Sequence, residues 1–142
     1  MHPVRLAVFL LALLAGALAP RVAAAESRVL WSSVEVRAGD DAQRVGERLR
    51  TALRRASRHA KWGKGRHLVL SARVTHFDWE RGDGVLRLSC TVVARIGGGQ
   101  GARSRIRMGG RPEERAKLEK QVLGIVANGL VTRLSELARA ER

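Results

Sequence analysis

Two long segments of alternating apolar and polar residues, 67–80 and 85–96, constrain the fold of this 142-residue chain more than any other feature. Alternation with a period of two is typical of β-strands that bury one face. The four residues between the segments, 81–84, read Arg-Gly-Asp-Gly, and a short glycine-rich connection of this kind favours a hairpin. The sequence therefore predicts a long antiparallel hairpin.

Apolar periodicity predicts two further strands and two helices around this hairpin. Residues 29–36 are rich in β-branched and aromatic side chains, which indicates a first strand. Apolar residues at steps of three and four predict a helix over 42–59, preceded by the segment Gly39-Asp40-Asp41, which offers an N-cap. The same periodicity predicts a second helix from Pro112 to the C-terminus. A shorter strand is expected over 102–108. The predicted order is β-α-β-β-β-α.

Each predicted helix has one apolar face and one charged face, so each packs on one side only. The economical arrangement is an α+β two-layer sandwich, with both helices on one face of a four-stranded, mostly antiparallel sheet. We expect Gly124 and Gly129, which cost about 1 kcal/mol each relative to alanine in a helix, to allow close packing on the sheet. The arginines expected on the outer face of the first helix are Arg44, Arg48, Arg54, Arg55 and Arg58.

The first 25 residues indicate where the chain works. Arg5 precedes an apolar run over 6–18, and an alanine triplet ending at Ala25 has the small residues at which signal peptidase cuts. The run is shorter than the roughly 20 residues that span a bilayer. We expect a cleaved signal peptide over 1–25 and a single domain over 26–142. No cysteine lies near the cleavage site, so the protein is predicted to be periplasmic or secreted without a lipid anchor.

The chain is strongly basic, with 27 lysine and arginine residues against 13 aspartate and glutamate residues. Loss of residues 1–25 removes Arg5, Arg21 and no acid, so 25 basic and 13 acidic residues remain, a formal charge of +12. This excess predicts affinity for polyanions such as anionic lipid, lipopolysaccharide or an acidic wall polymer. Alternatively, the arginines only keep the protein soluble, and their arrangement has to decide between these explanations.

Alternation along the strands collects arginines on the sheet face that the helices leave open. The six expected there are Arg73, Arg87, Arg95, Arg103, Arg105 and Arg107. Phe77 and Trp79 are predicted at the end of the same face, joined by Trp31 if the first strand has that register. Guanidinium groups bind phosphate and carboxylate bidentately, and aromatic rings offer stacking surfaces. We predict an anion-binding site from these eight side chains, although a solvated sheet face or a protected edge strand produces the same alternation.

The sequence contains no recognisable catalytic or metal-binding constellation. His59, His67 and His76 lack the paired spacing with other ligands that metal sites use. The single cysteine, Cys90, falls on the inward side of its strand, which indicates a buried apolar residue and not a nucleophile. The glycine-rich segment 97–101 lacks the lysine and hydroxyl residues of a phosphate-binding loop. We expect no enzymatic activity, no metal and no cofactor.

A signal peptide followed by β-α-β-β-β-α resembles small envelope domains of Gram-negative bacteria. These are the periplasmic domain of the curli secretion channel, the lipoprotein activators of penicillin-binding proteins and the lipopolysaccharide-assembly lipoprotein. The resemblance is carried by the helix over 41–59, the strands over 68–79 and 85–96, and the closing helix over 112–140. It lies in element order without a shared motif, and it implies envelope assembly or adaptor work. These families are generally lipoproteins, whereas this chain has no lipobox cysteine, and no family site residue maps onto it.

Two functional hypotheses follow. The first is a non-enzymatic, exported binding or adaptor protein of the cell envelope, whose arginine-rich face contacts an anionic polymer, a headgroup or an acidic partner protein. The second is a structural subunit of an envelope or secretion assembly, joined through its sheet edge or its first helix, with the basic face incidental. A hydrolase ranks third. Nucleic acid fits the charge, but an exported protein seldom meets it.

Overall fold

The computed structural model describes residues 25–37 and 39–141, which form a sheet and two helices. The strands are β1 (Arg28–Val36), β2 (His67–Gly82), β3 (Val85–Ile96) and β4 (Gly101–Gly110), and the helices are α1 (Ala42–His59) and α2 (Arg115–Ala140). A single 3-10 turn over Pro112–Glu114 leads into α2, so the α-helix begins three residues later than predicted. The predicted element order is confirmed. Except for Ala25, the predicted signal peptide lies outside the described residues.

The four strands lie side by side in the order β1-β2-β3-β4. β2 and β3 form an antiparallel pair, as do β3 and β4, whereas β1 is parallel to β2. Parallel neighbours need a crossover connection, and α1 supplies it between β1 and β2. α1 packs on β1, α2 packs on β3 and β4, and the two helices contact each other. The predicted α+β sandwich with a mostly antiparallel sheet is confirmed.

The hairpin between β2 and β3 turns within two residues. Gly82 pairs with Val85, so the loop consists of Asp83 and Gly84 alone. Both have positive φ angles, 53° and 72°, as a type I′ hairpin turn requires. Aspartate tolerates this left-handed conformation better than most side chains, and glycine adopts it without steric cost. The Asp-Gly pair therefore fits the position that sets the register of the long hairpin.

The core lies between the sheet and the helix layer. Its largest fully buried apolar side chains are Leu49, Leu53, Leu70, Leu88, Leu123, Leu130 and Leu134. Trp31 also belongs to the core at 3% exposure, and its Nε1 donates a hydrogen bond to Ser57 Oγ at 2.9 Å. The open-face position considered for Trp31 is therefore wrong, because Trp31 pairs with Leu70, which faces the helices.

The two glycines of α2 have different surroundings. A Cβ added to Gly129 would lie 3.5 Å from Ser104 Oγ of β4, which agrees with close packing on the sheet. A Cβ added to Gly124 would meet nothing within 4 Å, so the packing explanation is wrong for this residue. Neither helix in the described part of the chain has the length and apolar character needed to cross a membrane.

A buried carboxylate joins the two helices. Glu119 of α2 is only 2% exposed, and Arg44 and Arg48 of α1 both donate hydrogen bonds to it. Arg44 approaches through Nη2, at 2.8 Å from Oε1, and through Nε, at 3.3 Å from Oε2. These bonds, together with one to Asp41, raise the pKa of the Arg44 guanidinium above its usual value. Arg44 and Arg48 therefore belong to the helix–helix contact and not simply to an outer face.

Asp41 occupies the predicted N-cap position of α1, but its side chain makes no capping hydrogen bond. Its carboxylate instead accepts a hydrogen bond from Arg44 Nη1 at 2.8 Å. The same guanidinium thus bridges the start of α1 to Glu119 of α2. Within the predicted capping segment 39–41, Asp41 is the N-cap, and its side chain acts through an ion pair.

The C-terminal ends of the two helices also lie together. Arg139 of α2 donates a hydrogen bond to the carbonyl oxygen of Lys61, two residues after the end of α1. Because the Glu119 contact joins the first halves of the same helices, α1 and α2 run parallel to each other. Arg66, just before β2, donates to the carbonyl oxygen of Ala138 and anchors the end of α2 to the sheet.

We predict that removing the two arginines costs more stability than neutralising the acid. Arg44→Ala/Arg48→Ala leaves the Glu119 carboxylate buried without a partner, which costs about 3–5 kcal/mol of unfolding free energy. Glu119→Gln leaves two arginines that are 43% and 41% exposed and can turn to water, so we expect a loss of about 1–3 kcal/mol. Urea unfolding of the two variants measures the difference. Equal losses, or a larger loss for Glu119→Gln, contradict this assignment.

We also predict that Cys90 is unreactive in the folded protein. Its side chain has no solvent exposure, and burial raises the pKa of the thiol to about 12. At about pH 8 the thiol therefore stays protonated, and only the thiolate attacks disulfide reagents. A coloured disulfide reagent should detect no thiol before denaturation and one per chain afterwards, because the sequence holds a single cysteine. Rapid labelling under native conditions would contradict the placement of Cys90.

Candidate functional site

Strand register sets the open-face residues in rows across the sheet. One row contains Glu35, Arg73, Val93 and Arg103, one residue from each strand from β1 to β4. Neighbouring strands lie about 4.8 Å apart, and residues two apart on one strand lie about 6.6–7 Å apart on the same face. These spacings place side chains that are distant in the sequence within reach of a single ligand.

Three exposed arginines form a contiguous group on this face. Arg103 and Arg105 of β4 are two residues apart, and Arg95 of β3 is diagonal to Arg103 because Arg95 pairs with Gly101. Diagonal neighbours on antiparallel strands lie about 7–8 Å apart. Within residues 25–37 and 39–141, none of the three makes a salt bridge. We call Arg95, Arg103 and Arg105 the arginine cluster.

Two of the other predicted arginines are neutralised by acids of the same face. Arg73 binds Glu35 of the neighbouring strand at 2.9 Å, and Arg107 reaches across β3 to bind Glu80 at 2.7 Å. All four side chains are well exposed, and ion pairs of this kind contribute about 0–1 kcal/mol. The sixth arginine, Arg87, is half-buried and lies opposite Glu80 in the strand register, but the salt bridge of Glu80 is to Arg107. On this face, exposed arginines without a salt bridge in the described residues are thus concentrated in the arginine cluster.

Phe77 and Trp79 do not belong to this face, so their predicted position is wrong. Val74 pairs with Val92 and His76 with Thr91, which leaves Thr75 as the extra residue of a β-bulge. A one-residue shift moves every following side chain to the opposite face. Phe77 therefore pairs with Cys90, and Trp79 with Leu88. Both aromatic side chains are half-buried and pack against the core.

A signal for this bulge was present in the sequence. Strict alternation through β2 would have turned His76, Asp78 and Glu80 toward the apolar core, where unpaired charge is costly. The bulge places these three residues on the open face in place of the aromatic rings. The open face therefore carries acidic side chains toward the hairpin end of β2 and arginines on β3 and β4.

Trp79 helps to hold the start of α2 on the sheet. The Arg115 guanidinium carbon lies 4.4 Å from the centroid of the Trp79 ring, which is the geometry of a cation–π contact. Phe77 meets the same indole edge-to-face, with centroids 6.1 Å apart and an interplanar angle of 83°. Trp79 Nε1 is buried without a hydrogen-bond partner in the described residues. Trp79 therefore packs between the sheet and α2 and is not available for ligand stacking on the open face.

The remaining candidates from the sequence do not assemble into a site. The described residues contain no group of three or more His, Cys, Asp or Glu side chains placed to hold a metal ion. His59 lies at the end of α1, whereas His67 and His76 are separate positions on β2. Cys90 is enclosed in the core. The arginine cluster is therefore the strongest candidate site among the predicted residues.

Comparisons with known proteins add limited information. No protein-family model matches the chain, and no curated protein sequence matches it significantly. Solved structures similar to it include a provisionally described lipoprotein of Caulobacter crescentus, with a TM-score of 0.49 and 19% identity over 77% of this chain and 92% of that one.

A dodecameric PelC variant of Paraburkholderia phytofirmans has a TM-score of 0.45 and 15% identity, over 78% of this chain and 90% of that one. A minor lipoprotein of Acinetobacter baumannii has a TM-score of 0.37 and 17% identity, over 81% of this chain and 92% of that one. Two of the three are described as lipoproteins, and none is described as a member of the families that the element order resembles.

We predict that Arg115 and Trp79 are energetically coupled, as their contact across the helix–sheet layer requires. In a double-mutant cycle of Arg115→Ala and Trp79→Leu, the coupling should be about 0.5–1 kcal/mol of unfolding free energy. The matched cycle of Arg107→Ala with Trp79→Leu should give no coupling, because Arg107 lies on the open face. Coupling of Trp79 to Arg107 instead of Arg115 would contradict the inward position of the indole and indicate that it lies on the open face.

Proposed function

We propose that this protein is a non-enzymatic, exported binding or adaptor protein of the cell envelope, and that its arginine cluster binds an anionic polymer or headgroup. The observation that carries the proposal is the contiguity of Arg95, Arg103 and Arg105, three exposed cations without a carboxylate partner in the described residues. Export itself is supported by the sequence of residues 1–25.

The arrangement of the arginine cluster does not stabilise the fold electrostatically. Two like charges about 7 Å apart repel by about 0.6 kcal/mol in water, and each neighbouring pair in the cluster adds such a term. An anionic ligand that bridges the guanidinium groups removes this repulsion and adds charge-assisted hydrogen bonds. The cluster is therefore better suited to binding than to stabilising the fold.

The shape of the site favours an extended ligand. The arginine cluster stands on a sheet surface that spans two strands, and its long side chains can each follow a different phosphate or carboxylate. A polymer or a headgroup layer presents such groups in series. Binding of this kind releases counterions, so its affinity falls with the logarithm of the salt concentration.

The two sheet edges are less suited to pairing with another strand. Arg50 of α1 donates a hydrogen bond to the carbonyl oxygen of Trp31 at 3.1 Å, which occupies an acceptor of β1. β4 carries Arg103, Arg105 and Arg107 along its length, and charged side chains are a common protection of exposed edges. This observation supports binding through the sheet surface over assembly through sheet edges.

Reversal of the arginine cluster tests the proposal. In Arg95→Glu/Arg103→Glu/Arg105→Glu we expect binding to lipopolysaccharide, or to phosphatidylglycerol vesicles, to weaken about 100-fold at low salt. The slope of log affinity against log salt should fall by about three, one for each lost phosphate contact. Co-sedimentation at several salt concentrations measures both quantities. Phosphatidylcholine vesicles serve as the uncharged surface.

A charge-matched control separates the site from net charge. Arg54, Arg58 and Arg133 are exposed on the helices, and reversing all three changes the formal charge by the same amount. This control should retain affinity within about threefold, because it leaves the arginine cluster intact, whereas attraction through overall charge alone would weaken both variants equally. Equal losses in the two triple variants, or no binding by the unmodified protein, would rule out the arginine cluster as the site.

A further inference from the structure

A groove of about 1060 Å³ runs between α1 and α2. Its lining consists only of residues of these two helices and Ala60, so it lies on the helix layer and not on the sheet. Along α1 it extends from Glu47 to His59, a length of about 18 Å at 1.5 Å per residue. The groove is independent of the arginine cluster, which stands on the open sheet face.

The floor of the groove, where the two helices approach each other, is apolar. Ala52 and Ala56 of α1 face Leu123 and Val131 of α2 there. Gly124 lines the same groove, and a Cβ added to it would meet nothing within 4 Å. A glycine within a helix costs about 1 kcal/mol relative to alanine, and no contact among the described residues requires this one. Its missing side chain keeps the groove open.

The rims of the groove are basic. The charged side chains that line it are Glu47, Arg48, Arg55, Lys117 and Lys120, with His59 at one end. Arg48 is already held by Glu119. Arg55, Lys117 and Lys120 make no salt bridge in the described part of the chain. The groove therefore offers an apolar floor between two rows of side chains with excess positive charge.

We infer that this groove docks an acidic amphipathic α-helix of a partner protein. A long open groove buries one side of its occupant and leaves the other in water, which suits a helix with one apolar face. Small-molecule sites instead enclose most of the ligand surface. A length of about 18 Å accommodates about three helical turns, or 12 residues. The apolar face would contact the floor at Ala52, Ala56 and Gly124, and flanking acids would meet the basic rims.

Charge excludes a second copy of this chain as the preferred occupant. α1 carries six arginines and one glutamate, and α2 carries five basic and two acidic residues, so either helix of a second copy would bring like charges together in the groove. Like-charge contacts across an interface cost several kcal/mol and act against such a partner. A partner helix with glutamate or aspartate beside its apolar face has the complementary pattern.

Synthetic peptides test the charge and the periodicity of the occupant. The probe is a capped 14-residue peptide with leucine at alternating steps of three and four and glutamate at the flanking positions. The controls are a scrambled peptide of the same composition and a peptide with lysine in place of glutamate. Fluorescence anisotropy with the full chain should show at least tenfold tighter binding of the acidic helix than of either control. Equal binding of the scrambled peptide, or no binding of the acidic helix, overturns the inference.

A substitution that fills the groove tests its location. Gly124→Leu should reduce affinity for the acidic peptide at least tenfold while the melting temperature stays equal or rises, because the added side chain points into open space. Gln121→Leu is the matched control, since Gln121 is exposed on the same helix but does not line the groove. Unchanged binding by Gly124→Leu, or an equal loss in Gln121→Leu, overturns the inference.

Charge reversal on the rim gives a second readout that does not depend on filling the groove. Lys117→Glu/Lys120→Glu should weaken the acidic peptide at least tenfold and strengthen the lysine peptide. If the rim variant leaves both affinities unchanged, the inference fails. The variant with a reversed arginine cluster should bind the acidic peptide within about threefold of the unmodified protein. Failure of groove binding is thus distinguishable from failure of polyanion binding on the sheet.

Discussion

The sheet buries only one of its faces, and the rest of the structure depends on this constraint. Leu70, Leu88 and Cys90 on the inner face have no solvent exposure, and both helices lie over them. Apolar burial of this kind is worth about 25 cal/mol per Å², which makes the covered face the main source of stability. The chain outside the core is then divided into two surfaces, an open sheet face and the outer side of a helix layer.

Charge is distributed unevenly over the open face, which its arginine content alone does not reveal. Glu35 and Glu80 neutralise Arg73 and Arg107, and these pairs leave the arginine cluster of β3 and β4 as the concentrated positive charge. A bulge at Thr75 produces part of this pattern, because it brings Glu80 outward and turns the aromatic side chains inward. A single inserted residue thus places the aromatic side chains of β2 against the core and its charged side chains on the open face.

The helix layer is held by a different interaction. Glu119 is buried between α1 and α2, and its two arginine partners remain about 40% exposed at the edge of the contact. Loss of the arginines would therefore leave a buried charge without a partner, whereas loss of the carboxylate would leave arginines that water can reach. Arg48 also lines the groove between the helices, so the contact that fixes the spacing of the helices borders the surface proposed for a partner helix. The two proposed binding surfaces lie on opposite layers, an arrangement that would suit an adaptor.

The sequence by itself determined the elements and their layers. Periodicity placed α1 over the observed Ala42–His59, and alternation together with the glycine-rich connection 81–84 predicted the β2–β3 hairpin, because these patterns report local geometry and burial. The structure shortened the loop to Asp83 and Gly84. The open-face positions of the six predicted arginines followed from the same alternation. The charged residues of β2 signal a bulge, but only the tertiary structure decided where it falls and hence that Phe77 and Trp79 pack inward. Tertiary structure also decided that Arg44 and Arg48 meet Glu119 and that Gly124 faces a groove. A bulge changes the face of all later residues, and an ion pair between residues 75 positions apart depends on which helix faces meet. Neither is encoded in a local repeat.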